Sequence, residues 1–86
     1  MTETHPQAVE GLEITVVEDG CVVHDSRRDK IHYLNETAGA ILELCNGRVA
    51  EEELPELIRL AYGLSEAPVA DVKNCLAALR EEGLLL

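Results

Sequence analysis

Apolar and polar positions alternate in three short segments of the first half of this chain and change to helical spacing from Asn35 onward. Leu12 to Val17 begins Leu-Glu-Ile-Thr-Val, the alternation of a half-buried strand, and Asp19-Gly20 is a hairpin signal before Cys21-Val22-Val23-His24. These two segments are expected to pair antiparallel. Asp25 to Asp29 is a polar loop, and Lys30 to Leu34 alternates again, so a third strand completes a meander and lies on its outer edge. An outer strand leaves backbone N–H and C=O groups unpaired.

That strand runs into a helix with no linker. Asn35 has the side-chain oxygen that caps a helix N-terminus, Ala38, Ile41, Leu42 and Cys45 follow at helical spacing, and Asn46-Gly47 supplies a left-handed stop. The acidic run Glu51 to Glu53 suits a second helix start, with Pro55 in its first turn, a stripe of Leu54, Leu57, Ile58 and Ala61, and an end before Gly63. Ser65 can cap a third helix carrying Val69, Val72, Leu76 and Leu79, with Pro68 near its start and Gly83 at its stop. Leu84-Leu85-Leu86 is too apolar for water and should fold back on the core or cover a partner. Met1 to Gly11 shows no period and reads as a flexible N-terminal tail, which leaves 12–86 as one α+β domain, a three-stranded antiparallel sheet followed by three helices.

Length changes this picture only by confining it to one domain. With 86 residues and 47% apolar content the chain can bury a small core, and because Tyr33 and Tyr62 are its only aromatic residues that core is aliphatic. The net charge of −10 repels nucleic acid and anionic membranes. Arg27, Arg28 and Lys30 nevertheless cluster before the third strand. They read either as a solvated loop balanced by Asp25 and Asp29 or, for Arg27 and Arg28, as an electrostatic docking site for an acidic partner. Cys21, Cys45 and Cys75 are widely spaced without a CxxC pair, which argues against disulfides and zinc and for small buried apolar residues. There is no glycine-rich phosphate loop, no nucleophile with a base at suggestive spacing and no metal-ligand cluster, so neither an enzyme nor a cofactor is expected. The start lacks the basic and apolar regions of a secretory signal and no segment is apolar enough to span a membrane; the expected location is the cytoplasm.

The run VVHDSRRDKIHYLNETAGAILELCNGRVAEEEL, followed by AYGL and VADVKNCLAALREEGLL, resembles the PqqD-like family of recognition elements for ribosomally made, post-translationally modified peptides (RiPPs). The resemblance spans roughly 12–86 and is carried by Tyr33-Leu34-Asn35 with Thr37-Ala38, by Cys45-Asn46-Gly47 and by Leu79-Arg80 to Gly83-Leu84-Leu85. Glu36, Gly39 and Pro55 depart from the family's usual residues. The resemblance implies a winged helix-turn-helix fold and a non-catalytic peptide chaperone. Such a protein binds the leader of a precursor peptide and presents the remainder to a modifying enzyme, often a radical S-adenosylmethionine (radical SAM) enzyme, in the biosynthesis of pyrroloquinoline quinone (PQQ) or of another RiPP.

In that family the leader adds as a strand and its side chains enter pockets between the third strand and third helix, as strand addition requires. The corresponding residues here are Lys30, Ile31, His32, Tyr33 and Leu34, with Val72, Lys73, Leu76, Ala77 and Arg80 as the helical wall. Each has a plainer reading: Ile31, Val72 and Leu76 as core, His32 and His24 as strand surface, Lys73 and Arg80 as balance for Asp71, Glu81 and Glu82. Two other functions compete. A winged-helix DNA-binding regulator would read through the third helix, but that helix sets Lys73 and Arg80 against Asp71, Glu81 and Glu82, whereas phosphate contact needs surplus cations. A structural subunit would bind the modifying enzyme and never the peptide. The free edge could also pair two copies into a homodimer.

Overall fold

The computed structural model describes residues 4–86. Its sheet has the order β1–β2–β3, with β1 at Leu12–Val17, β2 at Gly20–Asp25 and β3 at Lys30–Asn35, all antiparallel. Register follows from the hydrophobic pattern. Cys21, Val23 and Asp25 are buried on one face of β2, and their partners Leu34, His32 and Lys30 on β3, and Val16, Ile14 and Leu12 on β1, share that face. The other face carries Val22 and His24 of β2 with Tyr33 and Ile31 of β3.

Helix α1, Glu36–Leu44, starts where β3 ends because Asn35 turns the chain: its Oδ1 accepts the Ala38 N–H at 2.8 Å, satisfying an otherwise orphaned donor. A single 3₁₀ turn at Glu51–Glu53 then leads into α2, Leu54–Tyr62, with Pro55 in the first turn and Gly63 in the left-handed conformation at φ 63° ending it. The last helix, α3, spans Val69–Glu81. Its start is Pro68, not Ser65, since the residue before a proline is driven from helical geometry and the ring pre-sets the first helical turn.

Helix α1 packs on β2 and β3, and α2 and α3 pack against α1 and each other to extend that layer. Ile41, Leu42, Leu54, Ile58, Val72, Leu76, Leu79 and Leu84 interlock with Val23 in an aliphatic core. The layers approach closely at Gly39, where a Cβ would lie 2.8 Å from the Cys21 Sγ. Glycine there lets α1 sit down on β2. Cys21 and Cys45 are buried free thiols, and burial pushes the Cys45 thiol up to about 11.

The flexible tail expected over 1–11 is not what residues 4–9 form. Backbone N–H groups of Gly47 and Glu51 donate to Pro6 and Thr4, those of Ala8 and Val9 donate to Cys45 and Leu84, and Leu86 donates to Gln7. Pro6 and Val9 are buried. A segment with no hydrophobic period can still be held by ladder bonds to chain already in place, which period analysis does not detect. Residues 1–3 lie outside the described residues. At the other end, Leu84 and Leu85 fold back on the core as expected, while Leu86 remains exposed.

Candidate functional site

Two edges of the sheet are open, and they differ. Beyond β3 the helical layer continues to α3, yet among the described residues no Cα of β3 comes within 8 Å of a Cα of α3. The interval is a groove of about 480 Å³. One wall is Leu34, Asn35, Thr37 and Ala38, at the junction of β3 and α1. The other is Asp71, Asn74, Cys75, Ala78 and Leu79 of α3. Its floor is therefore apolar and its rim polar.

Strand β3 presents its residues to both sides of this edge. Lys30, His32 and Leu34 point to the helical side, and Ile31 and Tyr33 stand on the outer face, where they are 70% and 76% exposed. Ile31 is thus no core residue. An extended chain laid along β3 would place alternate side chains in the groove and beside Ile31 and Tyr33.

The helical wall is a different face of α3 from the one expected. Val72, Leu76 and Leu79 are buried, which sets the rotation of the helix and turns Asp71, Asn74, Cys75 and Ala78 toward β3. Lys73, Ala77 and Arg80 share the opposite flank by their spacing of four and three. Arg80 Nη2 lies 2.7 Å from Glu51 Oε1, and Val72, Lys73 and Leu76 border a second depression with Glu51, Glu52, Pro55 and Glu56. The sequence carries little to separate the flanks, because each sets alanine among polar or charged residues on one side of the same apolar stripe.

Of the docking pair considered above, Arg28 is engaged within the fold. Asp25 is fully buried at the end of β2; its Oδ2 accepts from Arg28 Nε at 2.8 Å and its Oδ1 from the Arg27 and Arg28 backbone N–H groups at 3.1 and 3.4 Å. The side-chain bond from Arg28 is the main reason its carboxyl is held below the usual carboxylate value. Arg28 Nη2 then donates to the Glu82 carbonyl at 2.8 Å, at the C-terminal end of α3. Arg28 is a tie between sheet and helix, not a free charge. Arg27 stays half exposed, 3.8 Å from Asp25. Beside this tie His32 Nδ1 lies 3.6 Å from Glu82 Oε2, and its Nε2 is buried without a hydrogen-bond partner among the described residues.

No group of three His, Cys, Asp or Glu side chains among the described residues is placed to hold a metal ion, and no helix is long and apolar enough to cross a membrane. What the arrangement offers is backbone pairing along β3 and side-chain pockets next to it.

Comparison with known proteins gives two findings. A family model described as coenzyme PQQ synthesis protein D (PqqD) matches residues 20–85, most of the chain. Among solved structures, a chain described as lasso peptide synthetase B1 complexed with the leader peptide superposes with a TM-score of 0.75 at 18% identity, over 96% of this chain and 99% of that one. No curated protein matches. The structural likeness is one of fold, three antiparallel strands followed by three helices.

Proposed function

This chain belongs to the family of coenzyme PQQ synthesis protein D (PqqD), and on that premise we propose that it binds the leader of a ribosomally made precursor peptide and presents the rest to a modifying enzyme. The observation that carries this reading is the open edge of β3 standing apart from α3, with a groove between them lined by Leu34, Ala38, Cys75, Ala78 and Leu79. Backbone N–H and C=O groups of β3 give the leader its direction and register, since they need partners that neither water nor α3 fixes in place. Leader side chains facing α3 enter the apolar floor, and those facing outward lie against Ile31 and Tyr33.

A strand-shaped, apolar-floored groove is a binding device. The chain's part in the reaction is to position the peptide. The solved neighbour's description names lasso peptide synthetase B1 complexed with the leader peptide, which supports peptide recognition on this fold. The receiving enzyme is, on the family resemblance, a radical SAM enzyme. A DNA-reading role for α3 is disfavoured by the structure's own charge pairing, because Arg80 is bound to Glu51 and Lys73 alone is left to meet phosphate.

Amide-resolved NMR titration with the co-encoded leader peptide tests the reading. Saturable shifts along Lys30 to Asn35 and on Asp71, Asn74, Cys75 and Ala78, at micromolar affinity (about −8 kcal/mol), are expected. Shifts confined to the Lys73 and Arg80 flank would place the leader outside the β3 groove, and no shifts with leader while the enzyme binds would replace the proposal with the structural-subunit reading.

A further inference from the structure

The second open edge, β1, is the less protected of the two. No Cα of β1 comes within 8 Å of any helix, so the helical layer stops short of it. Ile14 and Val16 point to the side the helices cover elsewhere, yet Val16 is 77% exposed and Ile14 37%. Alternating β-branched residues on a strand are expected under cover; here the cover is missing. Between Val16 and the helices lies a cleft of about 180 Å³ floored by Cys21 and Ala40 and closed by Tyr62, whose hydroxyl donates to the Glu36 carbonyl at 3.4 Å. That is room for one apolar side chain.

The rim of this cleft is acidic. Glu36 and Glu43 line it, Glu18 and Asp19 form the adjoining β1–β2 turn, and no Lys or Arg is among its lining residues. The field is felt locally: burial first, and then Glu36 and Glu43, push the Tyr62 phenol up, and burial with Glu43 pushes the Cys21 thiol up. A second copy of this chain docked face to face would set these carboxylates against one another, which like-charge repulsion opposes. A partner surface with an apolar residue framed by lysines or arginines satisfies both the cleft and its rim.

We propose that the β1 edge and its acidic cleft are the docking surface for the peptide-modifying enzyme, through an apolar side chain set among basic residues. The identity of that partner rests on the function proposed above. Peptide and enzyme would then occupy opposite edges of one sheet, so neither excludes the other. The enzyme's on-rate should also fall with added salt, as steering by an acidic surface requires.

The test is isothermal titration of the wild-type protein and of the variants E36Q/E43Q and V16K, each against the purified co-encoded modifying enzyme and, separately, against the leader peptide. All three positions are solvent-exposed or on a cleft rim, so folding is retained, and circular dichroism checks it. Expected is at least a fivefold weaker enzyme affinity in both variants with leader affinity within twofold of wild type. Unchanged enzyme affinity in both variants, or no enzyme binding by the wild type, overturns the proposal. So does a wild-type dimer that V16K dissociates, which would assign the face to a second copy. If wild type fails to bind leader while its enzyme affinity still falls in the variants, the leader reading is lost and the docking surface stands.

Discussion

Adjacent alanines on α3 separate the groove that the structure presents from the helical wall that the residue pattern alone suggests. Ala78 lines the groove facing β3, whereas Ala77 is exposed on the flank shared with Lys73 and Arg80. Replacing either by phenylalanine costs the helix a similar propensity penalty of roughly 0.5 kcal/mol, so stability cannot distinguish them. Leader affinity can. A ring at 78 occupies part of the 480 Å³ groove and displaces one buried aliphatic side chain of the leader, worth about 1.5–3 kcal/mol. At about 1.4 kcal/mol per decade, A78F should raise the Kd roughly 10- to 150-fold. A77F should leave it within twofold. Calorimetric titration of both variants with the leader, beside matched thermal melts, measures this directly. Equal weakening by the two variants, or a stronger effect of A77F, would refute the placement of the groove.

Three further substitutions test what holds the site in shape. Asn35→Ala removes the cap at the junction of β3 and α1 and should cost about 1 kcal/mol, read as a fall in Tm of roughly 4–8 °C. Leu76→Ala, at a fully buried position of α3, should cost about 2–5 kcal/mol by urea unfolding, enough to threaten a domain of this size. Asp25→Asn tests the tie to Arg28 through pH. The folded-state pKa of Asp25 is depressed, so its stabilisation is full above the ordinary value of 3.8 and is lost as pH falls through the lower folded value. The stability gap between wild type and Asp25→Asn should therefore be constant from pH 7 to 5 and close below pH 3.8; a gap that holds to pH 2 would show that the carboxylate's charge is not what matters.

Much of this architecture is written in local pattern. Alternation in Leu12 to Val17, the Asp19-Gly20 turn and the Asn35 cap specify the meander and its passage into α1 because each acts over a few residues. The open edge at β3 was legible for the same reason, as a strand last in a meander has no further neighbour. What could not be read depends on distant partners. Glu82 bonds Arg28 from 54 positions away, and the segment 4–9 is ordered by Cys45, Gly47, Glu51, Leu84 and Leu86, none of which leaves a periodic trace in it. Gly39 looks like a weak point inside a helix until Cys21 is found against it. The rotation of α3 was ambiguous because Val72, Leu76 and Leu79 mark the buried line without marking which flank meets the sheet.

Geometry of the sheet also limits how the peptide reaches its enzyme. A leader paired to β3 becomes a fourth strand, and with neighbouring strands about 4.8 Å apart it lies some 14 Å from β1. If the enzyme docks at the β1 edge, the peptide leaving the groove must cross at least that distance before its first modified residue can enter a catalytic site. Extended chain covers about 3.3 Å per residue, so roughly four residues are the minimum between the strand-added segment and the first modified position. Groove binding is blind to that spacer because the pairing along β3 ends before it. Shortening the spacer below about four residues should therefore abolish modification while leaving leader affinity for this chain unchanged, and modification that survives a spacer of one or two residues would place the enzyme on the β3 side of the sheet instead.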